Sequence, residues 1–280
     1  MPEPSSVSVP ADDRGLAYGD GLFETMAVVA GRVRLLDHHL DRLCSDAQRL
    51  FLTTDRLALQ GAIEARAHAL GHGILKLLLT RGSGPRGYAI PADASPRLLL
   101  LETPRDAGFA DTWCMTPPAP LTVRICRTPL SINPTLAGMK HLNRLPQVLA
   151  RSEWADPGIA EGLMRAAGDA IVCATSANVF ALCGETLVTP ALDQAGVAGV
   201  MRRALLDVAQ AQGMTVIHED LTMDRLQHRA DAVLLSSSLT GLRTVGSIDG
   251  EALPVEGAEV TARIDKLRRE LGRRVGVPGA

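Results

Sequence analysis

Lysine is scarce in this chain, so chemistry that needs a lysine has only three candidates, Lys76, Lys140 and Lys266. Lys140 lies in LAGMKHLNRL, after an apolar, glycine-containing stretch and before a predicted helix. An apolar setting disfavours the charged ammonium, which lowers the pKa of the amine and makes it a nucleophile. Such an amine can form a Schiff base with a carbonyl group. The alternative is an ordinary lysine whose charged end reaches solvent from the helix start.

Three other segments offer groups that bind anions such as phosphate. GVAGVMRR (196–203) leads glycines into a helix, whose first backbone N–H groups are free to bind an anion. LSSSLTG (235–241) ends a buried strand in clustered hydroxyls, although such hydroxyls more often complete a turn. Arg42 lies one position from the apolar stripe of its helix, where its side chain could reach inward to a phosphate. The alternative is an ordinary helix arginine whose side chain is solvated. Together with Lys140, these groups match pyridoxal 5′-phosphate, an aldehyde cofactor that carries a phosphate.

The composition excludes several classes of protein. Of the 280 residues, 46% are hydrophobic and 21% charged, which excludes a disordered or collagen-like chain. A net charge of −2 gives no sign of a nucleic-acid partner. No apolar run approaches the roughly 18–20 residues of a membrane span, and the N-terminus does not resemble a signal peptide. The five cysteines and seven histidines lack disulfide or metal-site spacing. We therefore predict a cytoplasmic protein that binds no metal, membrane or nucleic acid.

Apolar spacing in the first hundred residues predicts a small α+β domain. DRGLAYGDG (13–21) is predicted as a loop. Spacings of three and four residues predict helices over 36–50 and 57–70, the second capped by Thr53 or Thr54 and ended by Gly71. Strands are predicted at 22–29, 32–36, 74–80 and 97–102.

Four prolines within residues 104–120 mark a predicted domain boundary. They separate a small domain, residues 1–110, from a larger α/β domain, residues 121–280. In the larger domain, a helical pattern over 141–154 contains Pro146, which kinks the helix or occupies its first turn. The other elements predicted there are helices at 199–212 and 259–273, strands at 122–127, 214–218 and 231–235, and short strands within 161–189.

Six motifs resemble, in order, those of the class IV, fold-type IV pyridoxal-phosphate enzymes. This family includes branched-chain aminotransferases, D-amino acid transaminases and aminodeoxychorismate lyases, and the chain is most similar to the lyases. The motifs are DRGLAYGDGLFET (13–25), HLDRL (39–43), LTRGSGPRGY (79–88), LAGMKHLNRL (136–145), ATSANVF (174–180) and GVAGVMRR (196–203). The resemblance extends from about Asp13 to Val245.

The resemblance implies roles for individual residues. Lys140 resembles the family's Schiff-base lysine and Arg42 its phosphate-binding arginine. Val200 and Met201 would present backbone N–H groups to the phosphate, and Ser238 a hydroxyl. The implied fold has an α+β N-terminal domain and an α/β C-terminal domain, with the cofactor in the cleft between them. The implied assembly is a homodimer in which loops of one subunit help to shape the site of the other.

Cys173 departs from the family pattern V-x-E-G/A-T-x-S-N-x-F, whose glutamate pairs with the protonated ring nitrogen of the cofactor. Here the segment is IVCATSANVF (171–180), with Cys173 at the position of the glutamate. A thiol with an ordinary pKa of about 8.5 is mostly neutral, so it would hold the ring proton less well than a carboxylate. Asp169 and Glu185 are close in sequence but out of register to replace the glutamate.

The resemblance implies a lyase that converts 4-amino-4-deoxychorismate to 4-aminobenzoate and pyruvate, with Lys140 moving the proton. Arg81, Arg86 and Tyr88 of RGSGPRGY are candidates for binding the substrate carboxylates, unless they form an ordinary solvated basic loop. Two alternatives remain: a branched-chain or D-amino acid transaminase of the same fold, and a cofactor-binding relic without catalytic activity.

Overall fold

The computed structural model describes residues 8–115, 118–166, 168–253 and 257–277. The chain divides into two compact units. Unit 1 comprises Met1–Ala107 and Lys140–Asn143, and unit 2 comprises Gly108–Met139 and Arg144–Ala280. A division into two continuous domains did not anticipate that Lys140–Asn143 groups with the first unit. The cofactor cleft between the domains stays a prediction.

Unit 1 is built on a four-stranded antiparallel sheet of order β2-β1-β3-β4. Its strands are β1 (Gly21–Val29), β2 (Arg32–Val33), β3 (Gly73–Thr80) and β4 (Arg97–Pro104). Its helices are α1 (Arg14–Tyr18), α2 (Leu36–Arg49) and α3 (Arg56–Leu70). The apolar faces of α2 and α3 share one buried core with β1 and β3, as their three- and four-residue spacing requires.

Residues 13–21, predicted as a loop, contain helix α1. The Asp13 carboxylate caps it by accepting the N–H groups of Gly15 and Leu16, and Gly19 ends it with φ of 67°. A helix of 5 residues is too short to show an apolar period, and so this prediction was wrong.

The cap of α3 was also predicted wrongly. Asp55, rather than Thr53 or Thr54, accepts the N–H groups at the start of the helix, at 2.9 and 3.1 Å. Three neighbouring residues can all act as caps, and the chain uses the acidic one, which also interacts favourably with the helix dipole. Gly71 ends the helix as predicted.

Unit 2 is built on a nine-stranded mixed sheet of order β10-β9-β8-β11-β12-β5-β6-β7, with β13 paired to β12. Its strands are β5 (Leu121–Ile125), β6 (Glu161–Arg165), β7 (Ile171–Ala174), β8 (Asn178–Cys183), β9 (Thr186–Thr189), β10 (Thr215–His218), β11 (Ala232–Ser237), β12 (Gly241–Ile248) and β13 (Glu251–Ala252). Its helices are α4 (Thr112–Met115), α5 (Leu145–Arg151), α6 (Val200–Ala211) and α7 (Ala258–Arg274), with a π-helical turn at Arg225–Arg229. The predicted mixture of helices and strands is confirmed.

Helix α5 is shorter than the predicted span of residues 141–154. Pro146 lies in its first turn, where the missing N–H would have no partner within the helix in any case. Lys140–Asn143, within the predicted helical span, are not helical and group with unit 1. In the part of the chain that the structure describes, no helix has both the length and the apolar character needed to cross a bilayer.

Candidate active site

Lys140 is fixed by its backbone to two elements of unit 1. Its N–H donates to Oδ2 of Asp46 on α2 at 3.0 Å. Its C=O accepts the N–H of Phe23 on β1 at 3.0 Å, and the N–H of Leu142 donates to Gly21 C=O at 3.0 Å. Residues 140–142 are therefore held against β1 by backbone hydrogen bonds. The Nζ of Lys140 lies 4.1 Å from the centre of the Phe23 ring, whose face attracts an ammonium group.

Arg42 is held by a buried carboxylate, that of Glu24 on β1. The Nε of Arg42 donates to Oε1 at 2.8 Å and Nη2 donates to Oε2 at 2.5 Å. The side chain of Glu24 is 2% exposed and that of Arg42 10%. Burial alone would raise the pKa of Glu24, but the charges and hydrogen bonds of Arg42 and His39 outweigh it and hold the pKa at about 2. Arg42 is therefore part of a buried ion pair, not a solvated helix arginine.

His39 completes this cluster. Its Nδ1 lies 2.6 Å from Oε2 of Glu24. Burial lowers the pKa of His39, as do the charges of Arg42 and Lys140, although the Glu24 carboxylate opposes them. A neutral ring that donates Nδ1–H to Glu24 has an acceptor at Nε2. That atom is buried without a hydrogen-bond partner among the described residues, so the cluster has a place for a further donor.

In unit 2, Val200 and Met201 begin helix α6 after the N-cap Gly199. The helix has no side-chain cap and no acidic residue in its first turn, so its N-terminus favours an outside anion. Only glycine fits at the cap, because a Cβ there would lie 2.0 Å from Oδ1 of Asn178. Asn178 also donates through Nδ2 to the C=O of Val197 at 2.8 Å, which fixes the loop before the helix.

Asn178 connects this helix start to the predicted hydroxyl segment. In the sheet it is the register partner of Ser236 on β11. The Oγ of Ser236 is buried and has no hydrogen-bond partner in the described part of the chain. Ser238 follows in the turn between β11 and β12, half-buried. The sequence singled out Ser238; the unpaired hydroxyl of Ser236 lies in the same segment but depends on burial, which its spacing did not reveal.

Each unit by itself supplies groups that fit a phosphorylated aldehyde. Unit 1 contributes an amine at Lys140 and a guanidinium at Arg42. Unit 2 contributes a helix N-terminus and a buried, unpaired hydroxyl at Ser236. These are donors and acceptors for a phosphate and an aldehyde. Over the described ranges, no group of three or more histidine, cysteine or acidic side chains is arranged to hold a metal.

Cys173 lies on β7 and is 7% exposed. It packs in an apolar cluster with Cys126, Trp154 and Met164. Burial raises the pKa of the thiol to about 12, although the positive charge of Arg144 acts in the opposite direction. The thiol is therefore neutral at pH 7.

The two carboxylates considered as substitutes for the missing glutamate do not act on Cys173. Asp169 pairs with Arg165 at 3.0 Å and its side chain is 84% exposed. Glu185 is exposed in the turn between β8 and β9. The carboxylate whose charge raises the pKa of the thiol is Glu161 on β6, which accepts two hydroxyl hydrogen bonds from the ATSAN segment. The sequence did not point to Glu161, because strand pairing brings it there.

Arg81, a candidate for binding substrate carboxylates, is buried within unit 1. Its Nε and Nη2 donate to the Asp20 carboxylate at 2.7 and 2.9 Å. It also donates to the C=O groups of Leu50 and Phe51, at 2.7 and 3.1 Å. The side chain is 4% exposed. These contacts support a structural role for the guanidinium, and a role for Arg81 in binding substrate stays a prediction.

Arg86 and Tyr88 are exposed on the loop after β3. Tyr88 is 87% exposed, and its ring meets that of Tyr18 edge-on with 5.4 Å between centres. Arg14 of α1 donates to the C=O groups of Gly87 and Tyr88 at 2.9 and 3.4 Å. Helix α1 therefore supports the loop, and a role in substrate binding stays a prediction for these two residues.

Comparison with known proteins gives consistent similarities over most of the chain. An aminodeoxychorismate lyase of Vibrio harveyi is 33% identical over 242 residues, which cover 86% of this chain and 87% of that protein. A crystal structure of 4-amino-4-deoxychorismate lyase from Pseudomonas aeruginosa is 44% identical, with a TM-score of 0.85 and coverage of 94% and 95% of the two chains. A D-alanine aminotransferase of Listeria innocua is 25% identical, covering 89% of this chain and 85% of that one.

The family model of class IV aminotransferases matches residues 21–248. This range contains Glu24, Arg42, Lys140, Cys173 and the start of α6. The predicted family and fold class are confirmed by this match and by the similarity to the Pseudomonas structure. With most of its length matched, and with the ordered motifs on the elements described above, the chain belongs to the class IV aminotransferase family.

Proposed function

We propose that this protein is a pyridoxal-phosphate-dependent lyase that converts 4-amino-4-deoxychorismate to 4-aminobenzoate and pyruvate. One observation carries the proposal. This chain, which is 44% identical to a lyase of that name, holds Lys140 by hydrogen bonds to both its backbone N–H and its C=O. Arg42, which pairs with Glu24, lies in the same unit. A fixed lysine near a phosphate-binding arginine is what this cofactor requires of a protein.

The proposal assigns the cofactor's contacts to this chain's residues. Lys140 would hold the cofactor through its amine. Arg42, the N–H groups of Val200 and Met201, and the hydroxyl of Ser238 would bind the phosphate. When bound, the cofactor supplies an aldehyde that captures the substrate amine and a ring that withdraws electrons from the adjacent carbon.

Lys140 then acts as the acid–base group. Its Nζ takes the proton from the substrate carbon that carries the amino group, and the electron pair of that C–H bond becomes the new double bond of the ring. The enolpyruvyl group leaves with its bonding electrons and, after receiving a proton from the same nitrogen, becomes pyruvate. The six-membered ring becomes aromatic, which drives the reaction to 4-aminobenzoate.

The neutral thiol of Cys173 supports a lyase more than a transaminase. A transaminase must hold a proton on the ring nitrogen and return another to a cofactor carbon, and a nearby carboxylate helps it do so. In the lyase, proton removal is coupled to loss of a leaving group and to aromatisation. A neutral partner at the ring nitrogen is therefore more acceptable for elimination.

Assembly as a homodimer belongs to the same proposal. Helix α5 carries three large apolar side chains on one side, with Leu145, Val148 and Leu149 exposed by 72%, 60% and 56%. A contiguous apolar patch of this kind is typical of a protein–protein interface. We also place the protein in the cytoplasm, since its five cysteines are all free thiols.

The test measures both products. Purified holoprotein is incubated with 4-amino-4-deoxychorismate, and pyruvate and 4-aminobenzoate are expected in equal amounts. Lys140→Ala should abolish their formation. Lys76→Ala is the matched control, because the Nζ of Lys76 also lies near the Phe23 ring, at 5.5 Å. Borohydride reduction and peptide mapping should place the pyridoxyl group on Lys140.

A transaminase of the same fold is the second candidate, favoured by the similarity to the D-alanine aminotransferase. Its signature is conversion of the cofactor to the pyridoxamine form by alanine or another amino donor, without release of pyruvate from the chorismate compound. A protein that does neither would be a relic. Labelling of Lys76 or Lys266 would overturn the assignment of Lys140.

A further inference from the structure

Asp46 is a buried carboxylate on α2 that accepts a hydrogen bond from the backbone of Lys140 and forms an ion pair with Arg49 at 4.0 Å. It lies one helical turn after Arg42, so both side chains project from the same face of α2. Asp46 is 6% exposed, and its Oδ2 accepts the Lys140 N–H at 3.0 Å. None of the sequence motifs pointed to this residue, since 94 positions separate it from its partner.

We propose that Asp46 is a positioning residue that fixes the peptide group from which the Lys140 side chain departs. The inference rests on the proposed role of Lys140 as the cofactor-binding lysine. The hydrogen bond to Asp46 restrains the peptide before the Lys140 Cα, and the bond from Phe23 N–H to Lys140 C=O restrains the peptide after it. With both restrained, the Cα–Cβ direction is set, and the amine searches a smaller volume.

The segment that carries Lys140 is short, which makes each bond important. Residues on both sides of Lys140–Asn143 belong to unit 2. The other bonds described for the segment are from Leu142 N–H to Gly21 C=O and from Asn143 Nδ2 to Gly19 C=O. Among these bonds, that of Asp46 is the one in which a side chain from outside the segment takes part.

The burial of Asp46 carries a cost in stability. Burial raises the pKa of its carboxyl group, as does the charge of Glu24, while the Lys140 N–H and the charges of Arg42 and Arg49 lower it. A group whose pKa is raised by folding destabilises the folded state at pH values above its ordinary pKa. The charge of Asp46 is therefore retained despite the cost of burying it. Because this carboxylate accepts the backbone N–H of Lys140, a positioning role explains it better than a contribution to stability.

The experiment uses amide hydrogen exchange at Lys140 in the cofactor-free protein, together with the rate at which added pyridoxal phosphate attaches. Asp46→Ala should speed exchange of the Lys140 amide by about tenfold or more, because a hydrogen bond to a charged acceptor is lost. It should also slow attachment of the cofactor. Asp46→Asn keeps an acceptor oxygen, and both rates should stay within about threefold of the wild type.

Asp37→Ala is the matched control, since it removes a carboxylate from the same helix that pairs with Arg56 and is 82% exposed. It should change neither rate. Unchanged exchange and attachment in Asp46→Ala would overturn the inference, as would faster exchange spread evenly over α2 and β1, which signals general loosening. If Asp46→Ala does not fold, Asp46→Leu replaces it, and failure of Asp46→Asn to retain the wild-type rates would count against the inference.

The proposed function fails in a different way. A wild-type protein whose pyridoxyl group maps to a residue other than Lys140 would refute that function, whatever Asp46 does. Correct mapping to Lys140 together with unaltered Asp46→Ala behaviour would refute only the positioning role.

Discussion

The two units present their candidate residues in opposite electrostatic states. In unit 1, Arg42 is ionised and paired with the buried carboxylate of Glu24. In unit 2 the candidate residues are neutral: the backbone N–H groups at Val200, the buried hydroxyl of Ser236 and the thiol of Cys173. A buried ion pair is strongly destabilised when one partner is removed, whereas a neutral donor leaves no unpaired charge behind.

This difference separates stability from chemistry. Changes at the ion pair of unit 1 should affect folding and cofactor binding together, because the Glu24 carboxylate both orients the Arg42 side chain and balances its charge. Changes at the neutral groups of unit 2 should alter the reaction with a smaller effect on folding. Removing charge from unit 1 and adding charge to unit 2 tests this contrast.

Glu24→Gln should have the largest effect, a destabilisation of about 3–5 kcal/mol, because it leaves Arg42 buried without its counter-charge. The pKa of Glu24 is lowered from 4.5 to about 2, so its stabilising contribution is present above pH 4.5 and is lost as the pH falls towards 2. Urea denaturation from pH 7 to pH 3 measures both effects, and the variant should lack this part of the acid dependence.

Glu64→Gln is the control for that experiment, since Glu64 lies exposed on α3 and accepts a hydrogen bond from Gln60. Its stability should change by less than about 0.5 kcal/mol. Equal stabilities of the Glu24 and Glu64 variants would mean that the buried pair contributes nothing, and the contrast between the units would be lost.

Arg42→Ala should come next, weakening pyridoxal phosphate binding by about 1.5–3 kcal/mol, or roughly 10–150-fold. Titration of folded, cofactor-free protein with the cofactor measures the dissociation constant. Arg42→Lys retains a charge for Glu24 but loses the forked geometry of the guanidinium. Its affinity for the cofactor should therefore lie between those of the wild type and Arg42→Ala. Arg66→Ala, at an exposed position of α3, should bind as the wild type does; an Arg42→Ala variant with unchanged affinity would exclude Arg42 from the phosphate site.

Local patterns were enough to predict the main elements and the segments that carry the candidate residues. Apolar spacing predicted α2 and α6, and the motifs predicted a role for Lys140 and Arg42. What the sequence did not show was which partner each charge would find. The Arg81 guanidinium pairs with Asp20 across 61 positions, and sequence spacing contains no information about such a distant pair.

The same limit applies to the residues that act on the site through others. Asp46 reaches Lys140, and Glu161 influences Cys173, because helix packing and strand register bring them together. Neither residue lies in a conspicuous motif. By contrast, the loss of the usual glutamate at Cys173 was visible in the sequence, because a motif fixes the register of each of its positions.

Cys173→Glu adds charge to the neutral unit and should have the smallest effect. The variant restores a carboxylate where the family pattern has one; burial and the charge of Glu161 raise the pKa of an acidic group at this position, and the charge of Arg144 lowers it. A carboxylate near the ring nitrogen holds the proton there, which favours transamination. We expect the variant to retain cofactor and to gain half-transamination with alanine or a D-amino acid by about tenfold, with lyase activity changed less.

Cys173→Gln provides the matched control, because it has the size of glutamate without the charge. Both variants enlarge a side chain that is 7% exposed in an apolar cluster, so both should lose similar stability from crowding. Only the glutamate variant should gain transamination, measured as the shift of cofactor absorbance to the pyridoxamine form. An equal gain in the glutamine variant would attribute the effect to repacking. Rapid transamination by the wild type would mean that a neutral thiol at this position does not restrain the reaction, and the transaminase would then replace the lyase as the preferred function.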